Sequence, residues 1–154
     1  MPLSKHHIDT KNVATPFDLE KLASALEAEV PQVVFAYLHG SAVSGVVSAH
    51  SDLDVALFVD PAGMDALSKI HAAVDRVAEA IVPGVRCDIG VLNGTEPVFR
   101  FEVLKGRLLF CRDQEQWLRF YSLTCREYES QLFHYEKQRR YRLEALGVIQ
   151  DAQR

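Results

Sequence analysis

The sequence lacks any long hydrophobic run, which argues against a membrane-spanning helix. No apolar stretch approaches the roughly 20 residues that a bilayer span requires. Residues 1–12 also lack the apolar segment that is typical of a signal peptide. We therefore expect a cytoplasmic protein that has no membrane partner.

Cysteine and net positive charge are also scarce. The three cysteines, Cys87, Cys111 and Cys125, are odd in number and widely spaced, which favours reduced and packed thiols over a zinc site or a disulfide framework. The net charge is -4 and the pI is about 5.8, so the chain is not expected to coat nucleic acid by neutralising phosphates. No stable direct binding of nucleic acid is predicted, but a nucleotide held by a local site or a bound metal remains compatible with this charge.

The 154 residues suit one globular domain, with 48% hydrophobic and 25% charged residues. There is no repeat, low-complexity segment or linker. We predict a flexible N-terminal segment over residues 1–14 and a single domain, with a C-terminal helical extension, over residues 15–154. The alternation of strands and helices indicates an α/β (α+β) fold, in which helices flank a small mixed β-sheet and a long helix comes last.

Hydrophobic periodicity and turn residues define the predicted elements. Thr15 is expected to cap the first helix, with Pro16 at its first position. The later elements are strands at 33–38, 53–59, 85–92 and 107–111 and helices at 62–82, 96–105 and 113–146. The last helix would be roughly 50 Å long if unbroken, so it either breaks or projects towards a partner. Its aromatic stripe, Trp117 to Tyr135, is predicted to pack mainly against the sheet, with a share of it available to a partner.

Acidic residues inside apolar strands are the most informative feature. Asp52 and Asp54 are two residues apart, so in a strand both carboxylates point to the same side. Two such charges repel each other unless a cation lies between them, and magnesium is the usual ion where phosphates complete the shell. Asp88 lies among apolar neighbours on the next predicted strand. If the two strands are neighbours, Asp88 reaches the same cluster, and three carboxylates around two metal ions form the arrangement used for in-line attack on a phosphoryl group. The alternative is that Asp88 forms a salt bridge at the edge of the sheet.

Gly40 and Ser41 form the second feature, at the end of the first predicted strand. Glycine allows the backbone to approach a ligand closely, and the residues that follow are able to start a helix whose free N–H groups face an anion. Ten residues, 42–51, separate this pair from the Asp52-x-Asp54 pair. Taken alone, the two aspartates would also suit a strand start that caps a loop.

Together these motifs resemble the signature of the DNA polymerase beta-type nucleotidyltransferase superfamily. The strings Leu38-His39-Gly40-Ser41, Gly45 and Ser51-Asp52-Leu53-Asp54-Val55-Ala56 are similar to its minimal branch, the MNT antitoxins that accompany HEPN toxins in prokaryotes. Residues 100–110 also look like the region after the third acid in that branch. The resemblance covers residues 18 to 146 and implies a nucleotidyltransferase fold.

The resemblance also implies an activity: transfer of AMP from ATP to a tyrosine of a cognate HEPN toxin, which silences the toxin's RNase activity. Gly40 and Ser41 would hold the triphosphate. Asp52 and Asp54 would bridge two magnesium ions, and Asp88 would bind the ion that activates the acceptor hydroxyl.

One departure from the pattern leaves alternatives open. Many relatives carry arginine where this chain has Ser44, and the loss of that cation weakens the case for rapid turnover. The chain would then neutralise its toxin by binding alone. A small-molecule transferase of the aminoglycoside-modifying kind is a second alternative, disfavoured because no substantial acceptor-binding domain follows the core.

Overall fold

The computed structural model describes residues 15–48 and 50–147, and its centre is a four-stranded sheet with the order β5-β4-β2-β6. Strand β2 runs antiparallel to both β4 and β6, whereas β4 and β5 are parallel. A separate two-stranded ribbon joins β1 to β3. The strands are β1 (Thr15–Pro16), β2 (Val33–His39), β3 (Val46–Val47), β4 (Leu53–Val59), β5 (Cys87–Val91) and β6 (Arg107–Cys111). The helices are α1 (Leu19–Glu29), α2 (Leu67–Ile81), α3 (Pro97–Leu104) and α4 (Gln114–Ala145), and Gly40–Ser44 and Pro61–Ala66 are 3₁₀ helices.

The sheet is covered on both faces, which explains why β2 is apolar along nearly its whole length. One face packs against α1 and α2 through residues such as Leu22, Leu38 and Val74. The other packs against α3 and α4, where Phe35 stacks on Phe58 and both meet Phe120 of α4. This arrangement confirms the predicted α/β (α+β) class, the small mixed sheet and the long last helix.

The predicted start of the first helix is wrong. Asp18, not Thr15, caps α1, and its carboxylate accepts hydrogen bonds from the backbone N–H groups of Glu20 and Lys21 at 3.0 and 3.1 Å. Thr15 and Pro16 instead pair with Val47 and Val46. This pairing joins segments some 30 residues apart in the sequence, so local capping preferences do not reveal it. The predicted flexible segment, residues 1–14, lies outside the described residues, and the single domain over 15–154 stays a prediction.

Helix α4 runs unbroken for 32 residues, about 48 Å at 1.5 Å per residue. The prediction that its aromatic stripe packs mainly on the sheet is wrong: Phe120 and Thr124 are its buried residues, whereas Tyr135 is 64% exposed. The helix leaves the sheet after its first half, and every residue from 129 to 142 is exposed. The described residues contain no helix that is both long and apolar enough to cross a membrane.

Candidate active site

Three polar side chains form one row across the sheet at the edge where β4 and β5 begin. Asp54 of β4 is the register partner of Asp88 on β5 and of His39 on β2. Directly paired residues on adjacent strands point to the same face, so the three side chains lie side by side. Tyr37 and Ala56, which follow the same alternation, belong to the core beneath α3 and α4. The row therefore faces the α3–α4 side of the sheet, and the two carboxylates predicted to cooperate lie together.

Asp52 stands immediately before β4, on the same side as Asp54 by the two-residue period. Hydrogen bonds between Ser48 and Ser51 position Asp52 at the start of the strand. The Ser51 hydroxyl accepts from the Ser48 backbone N–H at 2.8 Å and lies 3.1 Å from the Ser48 carbonyl oxygen, to which it donates. The Leu53 N–H then donates to the Arg86 carbonyl at 2.8 Å and anchors the strand start to the segment before β5. These bonds fix where the Asp52-x-Asp54 pair begins.

Gly40 adjoins the acidic row and has no room for a side chain. A Cβ atom built there would lie 2.4 Å from the Asp54 Oδ2 atom, and the backbone φ of 72° is one that other residues rarely adopt. The glycine thus lets the backbone come against a carboxylate. The neighbour at this close approach is Asp54 of the same chain, so the predicted approach of the Gly40 backbone to a ligand stays a prediction.

Ser41 begins a tighter turn than the helix start that was predicted. Residues Gly40–Ser44 form a 3₁₀ helix closed by a hydrogen bond from the Gly45 N–H to the Ala42 carbonyl at 2.9 Å. The Ser44 hydroxyl donates to the Ser41 carbonyl at 3.2 Å. Ser41 and Ser44 are both exposed. The residue that departs from the pattern of many relatives therefore stabilises the turn that carries Ser41.

The electrostatics of the row follow from its crowding. Burial raises the pKa of Asp54, and the negative charges of Asp88 and Asp52 raise it further, while His39 opposes them. The pKa of His39 is lowered, mainly by burial, against the raising effect of Asp54 and Asp88. At neutral pH His39 therefore tends to be uncharged and does not balance the negative charges of Asp54 and Asp88. The row favours an added cation.

His39 is part of this row, although its sequence position favours an ordinary histidine at the end of a strand. Its ring meets the Phe99 ring of α3 edge-on, with centroids 5.9 Å apart. Phe99 also covers Gly90, where an added Cβ would touch the phenyl ring at 3.4 Å. The signal that was available is the strand alternation that places His39 on the same face as Tyr37. Its pairing with Asp54 depends on the register between β2 and β4, which the sequence does not reveal.

The carboxylate oxygens of Asp52, Asp54 and Asp88 are chemically suitable ligands for magnesium. Carboxylate oxygens are the ligands that this ion prefers, and it commonly takes only one or two of them, with phosphate oxygens and water completing its shell. Within the part of the chain that the structure describes, no three His, Cys, Asp or Glu side chains are grouped closely enough to form a metal site by themselves. The assignment of Asp52, Asp54 and Asp88 as metal ligands and of Gly40 and Ser41 as phosphate ligands stays a prediction.

Comparison with known proteins assigns the family. Residues 20–115 match the model of the family described as polymerase beta, nucleotidyltransferase. This chain belongs to that family. The match spans every residue of the row and both predicted motifs, so it confirms the superfamily that they indicated. No curated protein matches the chain in sequence.

Solved structures extend this likeness over most of the chain. A chain of a toxin-antitoxin MntA-HpeT mutant is 19% identical, with a TM-score of 0.58, and the match covers 84% of this nucleotidyltransferase-family chain and 98% of that one. A toxin-antitoxin complex with AMP-PNP has a chain 20% identical, with a TM-score of 0.55 and coverage of 84% and 98%. A complex of tri-AMPylated Shewanella oneidensis HEPN toxin with MNT antitoxin has a chain 19% identical, with a TM-score of 0.52 and coverage of 83% and 94%. At these identities the likeness shows the fold, which is the predicted nucleotidyltransferase fold.

Proposed function

We propose that this chain is an MNT-type antitoxin that transfers AMP from ATP to a tyrosine of a cognate HEPN toxin. The observation that carries the proposal is the alignment of Asp54 with Asp88 on adjacent strands, beside a glycine that touches Asp54. Structures of similar fold include complexes of an AMPylated toxin and of AMP-PNP, which supports the same chemistry here. We further propose that the protein acts in the cytoplasm.

In this proposal one group of residues binds the triphosphate and another binds the metal ions. Gly40 and Ser41 receive the triphosphate, where the bare glycine leaves the backbone accessible. Asp52, Asp54 and Asp88 would hold two magnesium ions, which would neutralise phosphate charge and make an acceptor hydroxyl more acidic. The acceptor hydroxyl forms the new bond to the α-phosphorus, its proton is lost to solvent, and pyrophosphate leaves with the electrons of the broken P–O bond.

The test is co-expression with a candidate HEPN-type toxin, sought among the genes that neighbour this one, followed by intact-mass measurement of that toxin. We expect its mass to increase by one or more AMP units when the parent chain is present. Replacing Asp52 and Asp54 by asparagine should lower the modified fraction by at least about 100-fold, since it removes the charges that stabilise the reaction. An unmodified mass with the parent chain and ATP would refute the transfer.

A second candidate, an antitoxin that acts by binding alone, is favoured by Ser44. The exposed hydroxyl at this position supplies no charge to a phosphate, and it is used within its own turn. If this candidate is right, the Asp52→Asn and Asp54→Asn double variant protects cells as well as the parent does. If AMP transfer is the mechanism, the double variant fails to protect although it still folds. An aminoglycoside-type transferase would instead show itself by drug resistance in cells that carry the gene alone.

A further inference from the structure

The outer part of α4 and the adjoining edge of α3 form an exposed surface that the proposed reaction does not use. Val98 of α3 lines a cleft of about 210 Å³ with Tyr128, Leu132 and Tyr135 of α4. Val98, Leu132 and Tyr135 are 45, 42 and 64% exposed. Large apolar side chains clustered in this way mark interaction sites more often than isolated ones do. We call these four residues the apolar cleft.

The walls of the apolar cleft are already held in place. Tyr128 stacks on Phe101 of α3, with centroids 3.8 Å apart and planes within 5°. Arg100, which is 92% buried, forms an ion pair with Glu127 and so links the same two helices. A surface that is ordered before binding loses less entropy when a ligand arrives. Tyr128, at the α3 side of the apolar cleft, is therefore held in place before an occupant arrives.

A positively charged surface continues directly from the apolar cleft. Tyr135 is shared with a neighbouring cleft of about 120 Å³ that it lines with Gln138, Arg139 and Arg142. The segment Lys137–Arg142 contains four basic residues and no carboxylate, in a chain whose net charge is -4. The charge of this segment is thus opposite to that of the molecule. An occupant that covers both clefts needs an apolar side followed by acidic residues.

The position of the surface points to the kind of occupant. From Tyr128 to Arg142 the axis of α4 rises about 21 Å, which matches three to four turns of a helix lying alongside it. Grooves beside helices commonly receive the apolar face of an amphipathic helix. Val98 lines the cleft while its neighbour Phe99 contacts His39 in the acidic row, so a protein seated here lies next to the candidate active site.

We propose that the apolar cleft and the neighbouring cleft lined by Arg139 and Arg142 dock an acidic amphipathic helix of the protein that receives AMP. The proposal rests on the proposed function for the identity of that protein, but the docking is measurable without catalysis. A second copy of this chain would bring its own basic segment to the interface, where the like charges would repel each other. RNA would use the arginines and leave the apolar cleft without a role.

The first test uses the purified full chain and the purified HEPN-type toxin of the co-expression test, with affinity measured by calorimetry. The Leu132→Ala and Tyr135→Ala double variant should weaken binding by at least about 100-fold, because central aromatic and aliphatic anchors dominate interface energies. Phe133→Ala is the matched control: Phe133 is 65% exposed and next in sequence, yet it does not line the cleft. Its affinity should stay within about twofold of the parent.

The second test reverses charge. The Arg139→Glu and Arg142→Glu double variant should weaken binding by about 10-fold or more and slow association, an effect that salt diminishes. Arg140→Glu is the control, since Arg140 pairs with Glu144 at 3.4 Å and lies outside both clefts. Unaltered affinity in both double variants, with folding confirmed by thermal unfolding, would overturn the proposal. So would a dimer of this chain that the apolar variant disrupts without changing toxin affinity, or a loss confined to binding of single-stranded RNA.

The Asp54→Asn variant separates this inference from the proposed function. It should abolish AMP transfer while the affinity for the partner protein stays within about twofold of the parent. If no transfer occurs even with the parent chain, but the cleft variants weaken binding and their controls do not, the docking surface stands and the transfer fails. If transfer occurs and the cleft variants bind as the parent does, the transfer stands and the docking surface fails.

Discussion

Asp54 and Asp88 are register partners on the parallel strands β4 and β5, so two carboxylates lie side by side on one face of the sheet. Like charges directly opposite each other on neighbouring strands are destabilising. Burial and the nearby Asp88 and Asp52 raise the pKa of Asp54, which shows that the folded chain disfavours its ionised form. The chain keeps an arrangement that opposes its own folding, as functional sites commonly do.

The first prediction concerns Asp54→Asn and the pH dependence of stability. A raised pKa means that the folded state binds the proton more tightly than the unfolded state, so stability is lost as pH rises from about 3.9, the ordinary aspartate value, through the raised pKa. At pH 7 in chelator, the variant should therefore unfold at a higher temperature than the parent. The advantage should vanish below about pH 3.9, where both states carry the proton. Thermal unfolding followed by circular dichroism checks this, with exposed Asp65→Asn as the control. A less stable Asp54→Asn at pH 7 would contradict it.

Bound magnesium should offset the loss of stability that the ionised Asp54 carboxylate causes. A ligand that binds only the folded state stabilises it by about 2.7 kcal/mol at 100 times its dissociation constant. We expect magnesium with a non-hydrolysable ATP analogue to raise the unfolding temperature of the parent, and removal by chelator to restore the original value. The Asp54→Asn variant should show little of this shift. An equal shift in both proteins would place the ion elsewhere.

Gly40→Ala tests the contact between the turn and the acidic row. Its Cβ would lie 2.4 Å from Asp54 Oδ2 at a φ of 72°. Gly84→Ala is a close control, since Gly84 has a φ of 76° and nothing within 4 Å of an added Cβ. Both variants should lose about 1 kcal/mol through backbone strain. Only Gly40→Ala should also lose nucleotide binding and transfer, as measured by calorimetry and toxin modification. Equal losses of function in the two variants would mean that the close approach has no role.

The attachment of α4 to the sheet depends partly on one side-chain hydrogen bond. The Trp117 indole N–H donates to the Tyr37 hydroxyl at 2.7 Å, and Tyr37 is 3% exposed. Tyr37→Phe should cost about 1 to 2 kcal/mol in the free energy of unfolding, because the indole donor loses its partner. Denaturant unfolding of Tyr37→Phe, Trp117→Phe and the double variant gives the coupling energy. Additive effects would show that the bond contributes nothing.

The sequence predicts the parts of this molecule that local patterns determine. The apolar strands that carry Asp54 and Asp88 and the strand that precedes Gly40 follow from two-residue periodicity and turn residues, whereas the common face of the two aspartates required the two strands to be neighbours. Two failures have one physical cause. The pairing of Thr15 with Val47 and the alignment of His39 with Asp54 are non-local contacts, and a register between distant strands is set by tertiary packing.

The predicted packing of the aromatic stripe of α4 against the sheet is wrong for a related reason. A periodic run of aromatic residues looks the same in sequence whether the sheet beneath it continues or stops. The core contact of α4 comes from Phe120 and Thr124, whereas Leu132 and Tyr135 extend past the sheet. Where the supporting strands end is a property of the whole fold, so the helix alone predicts an amphipathic face without saying what covers it.

Ser44→Arg tests whether the missing cation limits turnover. The substitution introduces a cation on the exposed turn that also carries Ser41. A new ion pair with phosphate at an exposed site contributes up to about 1 kcal/mol, so we expect the KM for ATP to fall by up to about fivefold. The substitution also removes the 3.2 Å hydrogen bond to the Ser41 carbonyl, which costs about 0.5 to 1 kcal/mol of stability. Ser44→Ala removes the same bond without adding charge, so the difference between the two variants isolates the cation. If both have the same KM for ATP, position 44 does not face the triphosphate and serine there does not explain slow transfer.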